Sequence, residues 1–196
     1  MTRPAIRDAA LAAGLAFAAA AVIMLWVSGP ADGQADPLAR GHELYVTGCS
    51  SCHGANGEGV TTSDDKRRGP SLQNAGEAAA YYELSTGRMP LSNSGEQPER
   101  KRPAYSDEDI AALTAYVGSL GNGPKLPRVD VTHTDLAAGG ELFRANCAPC
   151  HSASGAGGAL SYGRAAPSLG GATPEQVAAA VRSGPSEMPT FGEDVL

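Results

Sequence analysis

The chain has 196 residues, enough for two small domains. Aromatic residues make up 5% of it, and it contains 25 glycines and 14 prolines, so a core of side chains alone would be thin. The formal net charge of −6 argues against a protein that binds nucleic acid.

The N-terminal segment, residues 1–35, contains an apolar run over residues 9–27 that is about long enough to cross a bilayer. Arg3 and Arg7 precede the run and the next positive charge is Arg40, which predicts a cytoplasmic N-terminus and export of the rest. We favour a retained membrane anchor with a short tether over a signal peptide cleaved near Ala35. Either interpretation places the following residues on the extracytoplasmic (periplasmic) side of the cell membrane.

Two five-residue motifs, residues 49–53 and 147–151, use every cysteine of the chain. Both read C-x-x-C-H, the attachment signature of a c-type haem. Two cysteines at this spacing each form a thioether to one vinyl group of the porphyrin, and the histidine becomes an axial iron ligand. The motifs predict two covalently bound c-type haems, held by Cys49, Cys52, Cys147 and Cys150, with His53 and His151 as ligands.

Other uses of paired cysteines fit the pattern less well. A zinc ribbon needs its pairs about 15–20 residues apart, and Cys52 and Cys147 are much further apart. A redox dithiol does not explain why histidine follows both pairs. Structural disulfides would require that both haems are absent.

The stretch before each motif is an internal repeat. Asp36 and Pro37 form an N-cap with proline at the first helical position, and Thr134 is the expected cap of the second copy. A glycine in each helix permits close approach of another helix. Because the same stripe recurs in register with the cysteine motif, the two copies indicate a duplicated domain. The repeated stripe consists of Leu38, Gly41 and Tyr45, then Leu136, Gly139 and Phe143.

The repeat continues after each motif. Residues 69–72 match residues 166–169, and a backbone carbonyl in this proline-containing loop is expected to accept the free ring N–H of the histidine. Helical stretches over residues 77–86 and 174–183 follow, and each ends at a glycine that precedes Met-Pro.

Met89 and Met188 are therefore predicted to be the second axial ligands, one for each haem. A thioether ligand favours ferrous iron, raises the reduction potential and fills the position where oxygen or peroxide would bind. We interpret the competing histidines, His42 and His133, as surface residues.

A further helix is predicted to close the first domain. It begins at Ser106, carries Ile110, Leu113, Val117 and Leu120 on one stripe, and crosses the first helix of that domain. The expected fold is mainly α, with tandem cytochrome-c-like domains at residues 36–121 and 134–196 and a linker at 122–133. The second domain lacks a corresponding closing helix before residue 196, so we expect it to be truncated and less stable.

Three basic features have no role in the haem motifs. The runs at residues 66–68 and 100–102 form either a solvated surface or a docking patch for an acidic redox partner. Arg88, beside the predicted ligand Met89, is a candidate partner for a haem propionate.

The chain resembles the dihaem cytochrome c subunit of the actinobacterial cytochrome bcc complex, a menaquinol:cytochrome c reductase that forms a supercomplex with a haem-copper oxidase. The resemblance begins near Leu38, and its most specific stretch is STGRMP at residues 85–90. Members of that family also have a C-terminal membrane helix, whose absence here fits the expected truncation. The other matching stretches are residues 49–56, 140–147 and 184–189.

The resemblance implies an electron relay within an enzyme complex. A Rieske iron–sulfur subunit would reduce the haem of His53 and Met89, and the haem of His151 and Met188 would pass the electron to the oxidase. The partners would be this subunit, cytochrome b and the oxidase, with no bond-making chemistry in this chain.

Two alternatives belong to other classes of protein. One is the dihaem electron-transfer subunit of a cbb-type oxidase or of a periplasmic dehydrogenase. The other is a dihaem peroxidase, which needs an open or displaceable iron ligand and is disfavoured by Met89 and Met188.

Overall fold

A computed structural model of the chain describes residues 36–93 and 97–193. These residues are mainly helical, as predicted, and also form two short antiparallel hairpins that were not predicted from the sequence. The helices are α1 (Pro37–Gly48), α2 (Ser50–His53), α3 (Gly76–Ser85), α4 (Asp107–Ser119), α5 (Leu136–Asn146), α6 (Ala148–His151) and α7 (Pro174–Ser183). The strands are β1 (Val60–Thr61), β2 (Arg67–Gly69), β3 (Gly158–Ala159) and β4 (Ala165–Ala166), with a 3₁₀ turn at Ser161–Gly163.

Helices α1 and α4 cross at Gly41, as the repeated glycine predicted. A Cβ atom at this position would overlap the carbonyl oxygen of Ala112 and lie 2.7 Å from the Cβ atom of Tyr116. Leu38 is 45% exposed, so the buried stripe of α1 is narrower than predicted. The core beneath the crossing consists of Tyr45, Leu84, Ile110 and Leu113.

Helices α1, α5 and α7 each begin at a residue whose side-chain oxygen accepts a hydrogen bond from a backbone N–H group of the first turn. Asp36 accepts from the backbone N–H of Leu38 at the start of α1, as predicted. The cap of α5 is Asp135 and not Thr134, because the Asp135 carboxylate accepts from two backbone N–H groups. Thr173 caps α7 and forms a capping box with Gln176.

The corresponding glycine of α5, Gly139, has open space beside it. A Cβ atom there would meet nothing within 4 Å, and Leu136 is 84% exposed. A cavity of about 350 Å³ adjoins this face and is lined by Leu142, Phe143 and Val181, among others. Within the described residues, α5 therefore lacks the helix crossing that α1 has.

Residues 122–133, the predicted linker, form no helix or strand. They nevertheless pack against the start of α3, because Ala78 N–H donates to the Pro124 carbonyl oxygen at 3.1 Å. Lys125 Nζ also lies 2.9 Å from Glu77 Oε1. The N-terminal segment lies outside the described residues, and no helix within residues 36–93 or 97–193 is long and apolar enough to span a membrane.

Candidate haem sites

Each cysteine motif forms one helical turn directly after a longer helix. The backbone N–H of Cys49 donates to the Tyr45 carbonyl oxygen at 2.8 Å, and the N–H of His53 donates to the Cys49 carbonyl oxygen at 2.9 Å. In the second motif, Cys147 and His151 make the matching bonds. All four sulfur atoms are free, as thioether formation requires.

The two histidines are held in the same way. His53 Nδ1 lies 2.8 Å from the Pro70 carbonyl oxygen, and His151 Nδ1 lies 2.9 Å from that of Pro167. Because a carbonyl oxygen only accepts, Nδ1 must carry the proton in both rings. Each Nε2 is then free to bind a metal ion, and the predicted carbonyl acceptor is the proline itself.

The loops around the two histidines contain equivalent backbone hydrogen bonds. Each histidine carbonyl oxygen accepts a backbone N–H, and each residue after the Pro-Ser pair donates back to a glycine of the motif loop. The bonds are Gly59 to His53 (2.7 Å), Gly157 to His151 (3.0 Å), Leu72 to Gly57 (2.7 Å) and Leu169 to Gly155 (2.8 Å). The duplication therefore includes the geometry around the two histidines.

Tyr45 links α1 to the end of the first motif. Its side chain is fully buried, and its hydroxyl donates to the Gly54 carbonyl oxygen at 2.6 Å. Burial is the largest cause that raises the pKa of the Tyr45 hydroxyl, to about 12, so the group remains a neutral donor at ordinary pH. Phe143 in the second copy has no hydroxyl for this bond.

Replacing Tyr45 with phenylalanine is expected to lower the free energy of unfolding by about 1–3 kcal/mol, because the buried Gly54 carbonyl loses its donor. The difference from wild type should shrink as the pH rises from about 10 towards 12. The hydroxyl stabilises the folded protein only while it is protonated, and its pKa is about 12 in the folded protein. Chemical unfolding of the haem-loaded protein measures both effects. Tyr162→Phe is the matched control because Tyr162 is fully exposed; equal losses in the two variants would contradict this account.

The predicted methionine ligands lie in two different apolar clusters. Met89 packs against the core of Tyr45, Leu84, Ile110 and Leu113, as Cys49 does. Met188 packs against a cluster formed by Ala78 and Tyr82 of α3 with Ala179 and Ala180 of α7. Cys147, the first cysteine of the second motif, lies on the wall of the cavity beside Phe143. The structure thus brings Cys49 and Met89 to one core, whereas Cys147 and Met188 share no such cluster within the described residues.

Three of the four cysteines are partly buried, and Cys150 is exposed. Burial, followed by the charge of Cys52, raises the pKa of the Cys49 thiol, and burial raises that of Cys147. At both motifs, free thiols and a histidine with a free Nε2 fit a c-type haem, and at the first motif Met89 also packs against the same core as Cys49. When bound, that group supplies one-electron transfer, while the protein supplies ligands and burial.

The remaining predicted residues are placed as follows. His42 and His133 are exposed, as expected of surface residues. Arg88 is only 7% exposed, and its Cζ atom lies 4.7 Å from the centroid of the Tyr82 ring.

In the basic runs, Lys66 pairs with Asp64, whereas Arg100 donates to Gln176 of α7 at 2.7 Å. Gln176 was not predicted from the sequence, because a single buried glutamine on a helix has no distinguishing pattern.

Two protein-family models match most of the described residues. The cytochrome c model matches residues 38–121, and the model for subunit III of cbb3-type cytochrome c oxidase matches residues 134–196. Each match contains one C-x-x-C-H motif. The chain is a c-type cytochrome. The cytochrome has two covalently attached c-type haems, as the two motifs predicted.

The cytochrome is similar to proteins named cytochrome bc1 complex cytochrome c subunit. It is 44% identical to that of Mycobacterium leprae, over 81% of this chain and 56% of the relative. It is 38% identical to that of Corynebacterium efficiens, over 81% of this chain and 58% of the relative. These matches confirm the resemblance inferred from the motifs. The cytochrome spans a little over half the length of these relatives.

A weaker similarity concerns a different complex. The cytochrome is 32% identical to the cbb3-type cytochrome c oxidase subunit FixP of Azorhizobium caulinodans, over 50% of this chain and 32% of the relative. This match corresponds to the first alternative named above.

Proposed function

We propose that this cytochrome is the electron-relay subunit of a menaquinol-oxidising cytochrome bcc complex. A Rieske iron–sulfur subunit donates an electron to one haem, the second haem receives it, and a haem-copper oxidase takes it up. The observation that carries the proposal is the identity of 38–44% to bc1 complex cytochrome c subunits over 81% of the chain.

The proposed ligand sets are His53 with Met89 and His151 with Met188. The two histidines support this assignment because each has its Nδ1 proton engaged by a proline carbonyl. The methionines support it through their equivalent positions after α3 and α7. We assign the first haem domain to residues 36–121, the linker to residues 122–133 and the second haem domain to residues 134–196.

The proposed location is the cell membrane, with both haem domains on the extracytoplasmic side. The support is the charge asymmetry around the apolar run at residues 9–27. In this arrangement the chain itself performs no bond-making chemistry, and the surrounding complex oxidises the quinol.

The test is purification of the full-length cytochrome from its native membrane through an affinity tag. The expected result is co-purification of cytochrome b, the Rieske subunit and the oxidase, together with reduction of both haems by a menaquinol analogue. Co-purification with a periplasmic dehydrogenase, or absence of reduction by the quinol, would contradict the proposal.

The second candidate is the dihaem subunit of a cbb-type oxidase. The observation that favours it is the match of the cbb3-type subunit III model to residues 134–196. The same purification separates the two functions, because a cbb-type subunit would be recovered with a copper-containing oxidase core and without a Rieske subunit.

We also propose that Arg88 pairs with a haem propionate. Its Nη1 atom is buried and has no hydrogen-bond partner among the described residues, a costly arrangement for a cation. Glu83 Oε2 is likewise buried without a hydrogen-bond partner in the described part of the chain. Burial raises the pKa of Glu83, and the charge of Arg88 opposes that rise.

Arg88→Gln is expected to lower the reduction potential of one haem, because loss of a nearby positive charge favours the ferric state. Arg88→Lys keeps the charge and should retain most of the potential. Spectroscopic redox titration of the three proteins measures this. Equal potentials in wild type and Arg88→Gln would exclude the propionate contact.

A further inference from the structure

Residues 97–103 belong to the first half of the described chain (residues 36–121) and contact the second half (residues 134–193). The side-chain amide of Gln97 donates from Nε2 to the Ala165 carbonyl oxygen at 2.9 Å. Its Oε1 accepts from the Ala165 backbone N–H at 3.2 Å. One side chain therefore pairs with both backbone groups of a β4 residue, as a neighbouring peptide would.

Gln176 is the centre of a second connection between the halves. It is only 6% exposed, and its Oε1 accepts from Arg100 Nη2 at 2.7 Å and from the Thr173 backbone N–H at 3.2 Å. Its Nε2 donates to the carbonyl oxygen and the hydroxyl of Ser85 at 3.2 and 3.3 Å. This buried amide thus joins the N-terminus of α7 to the C-terminus of α3 and to residues 97–103.

Beneath these polar contacts, α3 and α7 pack directly together. Ala78 and Ala179 are fully buried, and Tyr82 and Ala180 are at most 9% exposed. Small alanines allow two helices to approach closely but leave the contact able to slide, because they have no side chains that interlock. The two amides add directional bonds that fix one register.

These two helices are the ones that precede the proposed methionine ligands. The chain passes from α3 to Met89 and from α7 to Met188, and Met188 packs against the cluster that the two helices form. A shift of α7 along α3 would therefore move one haem site relative to the other. Electron tunnelling weakens steeply with distance, so such a shift changes the rate of transfer between haems.

We propose that Gln97 and Gln176 are positioning residues that hold the two haem sites at a fixed separation for electron transfer. This inference rests on the proposed relay. It assigns to Gln97, and to Arg100 of the second basic run, a role inside the chain. Arg100 acts as the partner of Gln176 and not as part of an external docking patch.

The experiment uses the haem-loaded cytochrome and the double variant Gln97→Ala/Gln176→Glu. Glutamate at position 176 keeps the acceptor for Arg100 and Thr173 but loses the donor to Ser85, so the helix cap is preserved. Glu99→Gln, at an exposed position of the same segment, is the matched control. The measurements are hydrogen exchange of the α3 and α7 amides, the two reduction potentials, and the rate of electron transfer between haems after photochemical injection of one electron.

The expected result is roughly tenfold faster amide exchange, the ratio that corresponds to about 1.4 kcal/mol. We also expect slower transfer between haems at unchanged haem content, with wild-type behaviour in the control. The two measured potentials give the driving force, so the rates are compared after correction for the charge that glutamate adds. An unchanged transfer rate in the double variant, or an equal decrease in the control, would overturn the inference.

Two further outcomes are covered by the design. If the double variant binds fewer than two haems, Gln97→Ala alone is measured, since it changes only the contact with Ala165. Failure of the relay itself is recognised separately, because wild type would then not co-purify with a Rieske subunit. In that case the rate between haems still tests the positioning role.

Discussion

Replacing Met89 with leucine is expected to lower the reduction potential of one haem and leave the other unchanged. Leucine has a similar volume, so the packing of Met89 against the core is largely kept while the thioether is lost. The decrease should be on the order of 0.1 V or more, within the range of about 0.8 V that axial ligation spans. Redox titration together with the absorption band of methionine-ligated ferric haem measures it.

Met188→Leu is the corresponding variant at the second site and should lower the reduction potential of the other haem only. His42→Ala is the control, because His42 is exposed and is not expected to bind iron. Intact mass should show two haems in each variant. A Met89→Leu protein with two unchanged potentials would exclude Met89 as a ligand, and a spectral change in His42→Ala would point to that histidine instead.

Replacing Gly41 with alanine is expected to destabilise the protein by about 3 kcal/mol, the upper part of the range for overpacking. The added Cβ atom would overlap the carbonyl oxygen of Ala112, which is backbone and cannot rotate away. Helices α1 and α4 must then separate, and the core that holds Tyr45, Ile110 and Leu113 opens. Thermal unfolding followed by haem absorbance and by far-ultraviolet circular dichroism measures the loss.

The internal repeat supplies the matched control for this substitution. Gly139→Ala adds the same atom at the same place in α5, where nothing lies within 4 Å. It should stabilise the protein by about 0.5–1 kcal/mol, because alanine is the better helix residue. Equal effects of the two substitutions would show that helix propensity and not the crossing governs Gly41.

The parts of the fold that follow local rules were predicted from the sequence. Proline after aspartate predicted the start of α1, and the spacing of Ile110, Leu113 and Val117 predicted the buried face of α4. The crossing at Gly41 was predicted from the glycine that recurs in both copies of the repeat. A backbone carbonyl in the proline-containing loop was predicted to accept each histidine ring N–H. The structure identifies the acceptors as the carbonyl oxygens of Pro70 and Pro167.

The contacts between the halves were not predicted, because they join residues far apart in sequence and depend on how the helices dock. Gln97 and Gln176 lie in no repeated pattern, and Arg100 was interpreted only as part of a charged run. The two hairpins are too short to show alternation of polar and apolar residues. The N-cap of α5 was misplaced by one residue because threonine and aspartate are both good caps, and only the backbone geometry selects Asp135.

The most direct test of the account is a pyridine haemochrome assay of the purified protein, combined with its intact mass and its resting absorption spectrum. The account predicts two haems per polypeptide, a mass that includes both, and a low-spin spectrum from histidine and methionine ligation at each iron. Fewer than two haems per chain, or a high-spin spectrum in the resting protein, would contradict it.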